Sequence, residues 1–309
     1  MSEISEALEA FGGREAVLVS ERENAVYRAH LPGGEAAVRL HRPGYQSLAA
    51  IRSELDWMRA LDAAGLSVPA PMGGPVTLST GRIATAVRWL DGAPLGQADV
   101  PLEGSAAEQE ARFHAVGRSI AALHAASDAF TPPEGFTRHA WDIEGLLGET
   151  PLWGRFWESP ALSPPERALM LEVRRMARAQ LEAFAARGGD YGLIHADVLR
   201  ENVLVQGEAA VLIDYDDGGW GFRLYDLATL MTQNEGLPNS DALRAAAIAG
   251  YRSLRPLSEE DATLLPLFVL LRRMASMGWI VPRSNPRDPR QQYYARKAVR
   301  AAQAFLASA

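Results

Sequence analysis

The sequence predicts an α+β fold of two unequal lobes: a small N-terminal lobe over residues 1–91, built on an antiparallel sheet with one helix, and a larger, mainly helical lobe over residues 92–309. Three observations carry this reading. Short apolar runs punctuated by turns fill residues 15–41 and 76–89, the pattern of paired strands. From Ser105 onward the apolar spacing is mostly helical. Between the two, Asp91-Gly92-Ala93-Pro94 breaks both patterns, as a hinge near residues 88–94 should. A chain of 309 residues with 48 % apolar and 22 % charged residues has the size and composition for two globular units.

In the first lobe, Ala16–Val19 and Ala25–His30 are the opening strands, separated by the polar pair Glu23–Asn24. Pro32-Gly33-Gly34 turns the chain into a strand over Ala36–Leu40. Leu48, Ile51, Leu55, Met58 and Leu61 then fall on one face of a helix spanning Ser47 to Gly65. Two further strands, Val76–Ser79 and Arg82–Trp89, meet at Thr80–Gly81. In the second lobe Ser105 with Glu108, and Ser163 with Glu166, have the spacing of capping boxes that open long helices. Ser258 starts a third helix and residues 289–307 form a last one. Embedded among them, Val203–Gln206 and Ala210–Ile213 read as a hairpin across Gly207–Glu208.

Composition excludes several kinds of chemistry. With no cysteine there are no disulfides, thiol nucleophiles or iron–sulfur sites. A net charge of −7 argues against bulk binding to nucleic acid. All but one of the 31 basic residues are arginine, so any lysine chemistry falls to Lys297 and a Walker A loop is excluded. The acidic N-terminus lacks the pattern of a secretory signal. Ala262–Leu271 is too short to cross a bilayer, so no membrane partner and a cytoplasmic location are expected. His114 and His124, ten residues apart on one helix, stand too far apart along its axis to share a metal.

The stretch YGLIHADVLRENVLVQGEAAVLIDYDDGGWGFRLYDLA, residues 191–228, carries the chemistry. His195 and Asp197 precede the hairpin, Asn202 enters its first strand, and Asp214 ends its second. A hairpin sets these strand ends side by side, so Asn202 and Asp214 are expected to converge with Asp197 close by. Two oxygen ligands plus a carboxylate in reach of a hydroxyl suit Mg²⁺, which keeps waters and substrate phosphates in its remaining positions. Phosphoryl transfer needs little beyond this.

H-x-D-x-x-x-x-N at His195, Asp197 and Asn202, the strand-ending IDYDD and the later YDLA resemble the aminoglycoside phosphotransferase and choline kinase-like family, in its homoserine-kinase-type or stress-response-kinase-like branch. ENAVYRA, AVRLHRPGY, the SEL helix and VRWLDGAP follow in family order, so the resemblance covers most of the chain. It implies a bilobal, protein-kinase-like fold and an ATP- and Mg²⁺-dependent transfer of the γ-phosphoryl group to a hydroxyl of a small molecule: an aminoglycoside, amino alcohol or related metabolite. By resemblance Asp197 is the catalytic base, Asn202 and Asp214 hold Mg²⁺, His195 orders the loop and Asp226 braces it. Arg200 reads either as a contact to the transferring phosphate or as a solvent-facing or carboxylate-paired arginine. Leu204 and Ile213 form an apolar floor under the adenine.

The resemblance places Arg39 in the slot where kinases carry a lysine, with Glu54 as its helix partner. Arginine keeps the charge and adds a planar fork suited to phosphate. The phosphate-covering loop falls at Glu21–Val26 without a glycine motif, and Asn24 offers a turn and a donor there. Backbone groups around Val87, Arg88 and Trp89 are expected to read the adenine edge. The acceptor should dock against the short loop Asp216–Tyr225, where Asp217 is placed to meet an amine. Trp220, Trp141, Trp153 and Trp157 either wall the ligand or pack the helices. Arg39 and the missing glycines leave open a nucleotide-binding regulatory pseudokinase, and a bacterial protein Ser/Thr kinase is the third reading.

Overall fold

The computed structural model describes residues 2–21 and 24–308. The chain begins with α1 (Glu3–Phe11), β1 (Arg14–Glu21), β2 (Ala25–Leu31), β3 (Gly34–Leu40), α2 (Leu48–Ala63), β4 (Val76–Thr77) and β5 (Ile83–Arg88). The five strands form one antiparallel sheet in the order β1-β2-β3-β5-β4. Ser47 caps α2 by accepting from the Ala50 N–H at 3.1 Å. Helix α1 was not expected; it packs beneath the sheet, with Ala7 fully buried among Ala25, Ala29, Ala36 and Val38. Between β1 and β2 the register slips twice, as β-bulges produce. Part of the expected phosphate loop, residues 22 and 23, lies outside the described residues.

The rest of the chain runs β6 (Ala93–Pro94), α3 (Ala106–Ala129), β7 (Ala140–Trp141), α4 (Ile143–Leu147), α5 (Pro164–Ala186), β8 (Tyr191–Ile194), β9 (Val203–Gln206), β10 (Ala209–Leu212), β11 (Gly219–Phe222), α6 (Leu224–Thr232), α7 (Ser240–Arg252), α8 (Glu259–Ala262), α9 (Leu265–Ile280) and α10 (Pro289–Ser308). Both capping boxes form, at Ser105/Glu108 and Ser163/Glu166. The hairpin β9–β10 is present, with Ile213 just past its end, and β6 pairs with β9. A small sheet, β7-β11-β8, occupies what the sequence presents as a glycine-rich loop. Gly219-Trp220-Gly221-Phe222 has little strand propensity of its own; two flanking partners supply the pairing.

Helix α9 forms the axis of the large lobe and is buried on almost every side. Residues 259–283 are long and apolar enough by length and composition to cross a membrane, more than the sequence reading allowed for. Its most apolar 18 residues are mostly buried inside the protein, and Arg272 and Arg273 sit mid-helix in ion pairs with Asp197 and Glu235. Helices α3 and α7 cross where side chains are absent: a Cβ on Gly117 would lie 2.0 Å from the Ala247 carbonyl, and one on Gly250 1.9 Å from that of His114. Helix α2, although in the small lobe by sequence, contributes Trp57, Met58 and Leu61 to the large core. Trp57 donates to Ser127 Oγ at 3.0 Å and meets Tyr215 edge-on, which fixes α2 against the end of the hairpin.

Candidate active site

The loop that carries Asp197 is set by buried hydrogen bonds. Both carboxylate oxygens of fully buried Asp226 accept backbone N–H groups, from His195 at 2.8 Å and Ala196 at 2.7 Å. His124 contacts the same carboxylate at 3.0 Å. Burial alone would raise the Asp226 pKa; the bonds from His124 and the His195 N–H hold it below the ordinary value. His195 is buried, its Nε2 on the Ile213 carbonyl at 3.0 Å and its Nδ1 receiving the Asp197 N–H at 3.3 Å, so it ties the loop to the end of the hairpin. Ala196 and Asp214 both adopt left-handed backbone, φ 67° and 66°. For non-glycine residues this is strained, and here it stands beside the two expected functional carboxylates.

Asn202 donates to Asp197 Oδ2 at 2.7 Å and to its carbonyl at 3.0 Å. Arg272 of α9 donates to the other oxygen, Oδ1, at 2.6 Å. Asp214 is half-exposed and receives Arg39 Nη2 at 2.6 Å. Arg39 also lies 3.4 Å from Glu54 and 4.0 Å from Asp216, so three carboxylates surround one guanidinium. Burial opposes that charge, but Asp214, Glu54 and Asp216 raise the Arg39 pKa. Burial pushes Glu54 up to about 7 against the pull of Arg39. Burial also raises Asp197, with Arg272 opposing, and raises Asp217 well above the ordinary value, aided by Asp197 and Asp216. Burial would raise Asp216 too, but Arg39 and His41 bring it below.

Several residues stand elsewhere than the sequence suggests. Arg200 does not face the site: its guanidinium is buried on Asn234 Oδ1 at 2.6 Å and on the carbonyls of Gln97 and Val100. It therefore anchors the 97–100 loop, being neither solvent-facing nor paired with a carboxylate. Asn24 spends its side-chain donor on Asp216 at 3.1 Å and its oxygen on the Arg42 N–H, which makes it a bridge between the lobes. The N–H groups of Arg88 and Trp89 are spent on Ala70 and Glu35, Val87 bridges Pro71, and the Arg88 side chain reaches Asp62. The backbone N–H groups expected at Arg88 and Trp89 are thus already occupied within the small lobe. Leu204 is buried in β9 and Ile213 half-buried beside Asp214. Trp220 packs edge-on to Phe136 rather than walling the acidic cluster, and Trp157 packs on Phe156 and Arg174.

Asp217, Trp141 and Trp153 were named from the sequence, but Tyr45 and Arg272, which join them, were not. The Tyr45 hydroxyl donates to Asp217 Oδ1, Trp153 Nε1 donates to the Tyr45 oxygen at 3.2 Å, and the Arg272 guanidinium lies 4.7 Å from the Trp153 ring centre. Trp141 and His139 hold the Asp217 carbonyl, each at 2.8 Å. Arg138 binds the carbonyls of Tyr215, Asp216 and Gly218. A cavity of about 1130 Å³ lies elsewhere, between α3 and the hairpin, lined by Leu66, Ala115, Ser119, Val205 and Leu212, and contains none of Asp197, Asn202 or Asp214.

Among the described residues no three His, Asp or Glu side chains form a ready metal cage. The donor set nevertheless suits a hard cation, because Asn202 and Asp214 supply oxygen from adjoining strand ends, beside the half-buried carboxylates of Asp197 and Asp217, which disfavour one another's ionised forms.

A two-lobed α+β fold with a braced carboxylate loop at the base of an arginine-spanned cleft defines an enzyme of the kinase-like phosphotransferase class. The chain belongs to the phosphotransferase enzyme family, which it matches over residues 16–261. It is similar to homoserine kinase of Mesorhizobium japonicum, 29 % identical over 256 residues, covering 79 % of this chain and 73 % of the relative. Among solved structures it resembles the microcompartment-associated aminopropanol kinase, with TM-score 0.80, 29 % identity, and 99 % and 97 % of the two chains covered. Amicoumacin kinase in complex with AMP-PNP, Ca²⁺ and Ami shares the fold at TM-score 0.77 and 17 % identity, over 98 % and 94 % of the chains. The enzyme is a small-molecule phosphotransferase of a family that uses a nucleotide.

Proposed function

We propose that this enzyme transfers the γ-phosphoryl group of ATP, with Mg²⁺, to the hydroxyl of a small amino alcohol or hydroxy amino acid, in the cytoplasm. The observation that carries the reading is the clamp on Asp197 beside Asp214: Asn202 at 2.7 Å on one carboxylate oxygen, and Asp214 tied to Arg39 at 2.6 Å from the opposite lobe. Residues 1–91 then serve nucleotide binding, and residues 92–309 catalysis and acceptor binding.

In this reading Asp197 orients the acceptor hydroxyl and takes its proton as the oxygen–phosphorus bond forms and the β–γ bridging bond breaks, its electron pair leaving with ADP. Asn202 and Asp214 would hold the metal, which supplies charge neutralisation for the phosphates. Arg39 is released from Asp214 to the α- and β-phosphates, with Glu54 steering its side chain. Leu204 and Ile213 underlie the base. Asp217, half-buried with the Tyr45 hydroxyl as its side-chain donor, faces the acceptor's ammonium group. Support for an amino acceptor comes from this carboxylate and from the likeness to an aminopropanol kinase and to homoserine kinases.

The test is ADP release with Mg²⁺ and ATP across aminopropanol, ethanolamine, homoserine, choline and spectinomycin. Turnover with the aminopropanol or homoserine arms supports the reading. Nucleotide binding without turnover on any acceptor favours a regulatory role, and phosphate transfer to protein alone favours a protein kinase.

A further inference from the structure

We infer that Arg272 is a positioning residue for the phosphoryl transfer: from helix α9 it clamps Asp197 opposite Asn202, so that the carboxylate presents its remaining lone pairs to the acceptor hydroxyl. This rests on the reading of Asp197 as the base. Arg272 Nη2 lies 2.6 Å from Asp197 Oδ1, while Asn202 Nδ2 lies 2.7 Å from Oδ2. Donors on both oxygens fix the carboxylate plane. Each oxygen retains a second lone pair, enough for one to accept the hydroxyl proton while the acceptor oxygen bonds to phosphorus and ADP departs.

The placement of Arg272 argues for function. Its helix, LPLFVLLRRMASMGWI, is buried on almost every side, and Arg272 itself is 4 % exposed. A buried ion pair of this kind adds little or nothing to stability relative to an apolar side chain of similar size, which this helix would accommodate. The guanidinium is nevertheless held from three sides: Asp197, Ser276 Oγ at 2.6 Å, and the Trp153 ring at 4.7 Å. Its Nε is buried with no hydrogen-bond partner among the described residues, so the fork is oriented by Asp197 at the expense of one of its own donors. Within the catalytic loop itself the positions between Asp197 and Asn202 supply no cation to the site, since Arg200 is turned away to Asn234. Arg272 brings one from more than seventy residues downstream.

The experiment is steady-state kinetics of Arg272→Gln with ATP and the best amino alcohol from the acceptor screen, alongside thermal unfolding and nucleotide affinity. The expected result is a kcat lowered about 100-fold, with both KM values and the ATP affinity within threefold of wild type. Arg272→Lys, or guanidinium ion added to Arg272→Ala, should restore at least tenfold of the loss. Combined with Asp197→Asn, the Gln variant should cost no further rate, because its effect runs through that carboxylate. The inference is overturned if Arg272→Gln keeps kcat within threefold, if the loss appears in acceptor KM instead, or if it multiplies with that of Asp197→Asn. Should Arg272→Gln fail to fold, Ser276→Ala releases only one anchor: a three- to tenfold fall in kcat at constant KM supports the inference, and an unchanged kcat overturns it. A wild-type enzyme with no transferase activity, or an Asp197→Asn variant as fast as wild type, would instead sink the reading of the site itself.

Discussion

The two sides of the cleft are built by different means. On the hairpin side, Asp197, Asn202 and Asp214 lie within one short stretch of chain, fastened to Asp226 and His195 by buried hydrogen bonds. On the other side, Tyr45, Trp153 and Arg272 arrive from three distant segments and meet through one another and the two carboxylates they touch. The first arrangement is rigid by local connectivity and suits chemistry common to every acceptor. The second depends on how remote elements pack, and can change from one relative to another without disturbing the first. Reaction type should therefore reside on the hairpin side, with Arg272 joined to it through Asp197, and acceptor choice on Tyr45, Trp153 and Asp217.

The sharpest way to break that division is Asp197→Asn. It should lower kcat by about 10²–10⁴-fold, the span of general-base contributions, while leaving ATP affinity within about twofold, as read by calorimetry. An equal loss of nucleotide binding would mean that Asp197 itself does more than catalysis. Next in size is Asp226→Ala, which orphans the His195 and Ala196 N–H groups and should destabilise the fold by roughly 3 kcal/mol or more in urea unfolding.

A comparable effect is expected from acid, on both sides of the cleft. Burial and Arg39 lower His41 to about 3, and burial and Arg138 lower His139 to about 4. Unfolded histidine binds its proton near pH 6.5, so the unfolded state gains protons first and stability falls as pH drops from 6.5 toward 4. For His139 alone the loss approaches about 3 kcal/mol. Glu54, raised to about 7, acts in the opposite sense: its stability penalty develops as pH rises from 4.5 through 7. Urea midpoints between pH 7.5 and 4.5 should show a net acid loss that His139→Gln reduces and Glu54→Gln steepens.

The smallest effect should be the most selective. Tyr45→Phe removes the hydroxyl on Asp217 and should change acceptor KM two- to fivefold with kcat nearly constant, whereas Asp217→Asn should abolish the preference for amino acceptors over neutral alcohols. A change in kcat for Tyr45→Phe matching that of Asp197→Asn would erase the distinction between the two sides.

The hairpin side was readable in the sequence because its residues are close along the chain and the turn between β9 and β10 forces them together. The pairing of Arg39 with Glu54 was implied by the resemblance to kinases, although the nearer partner is Asp214. Arg200 misled because its spacing says nothing of side-chain direction, and the short helical turn at Arg200–Asn202 rotates it inward to Asn234. On the opposite side Asp217 and Trp153 were named from the sequence, whereas Tyr45 and Arg272 were hidden because the contacts among these residues are set by tertiary packing. One signal was available: Arg272 ends the apolar run Ala262–Leu271, and a charge inside a helix that is otherwise apolar all round must find a partner in the core.

The most direct test is to follow γ-labelled phosphate from Mg²⁺-ATP, with wild type and Asp214→Asn side by side, and to identify the labelled species by mass. The account predicts a single phosphate ester on an amino alcohol or hydroxy amino acid, formed by wild type and lost in the variant. Label found only on protein, or ester formed equally well without the Asp214 carboxylate, would contradict it.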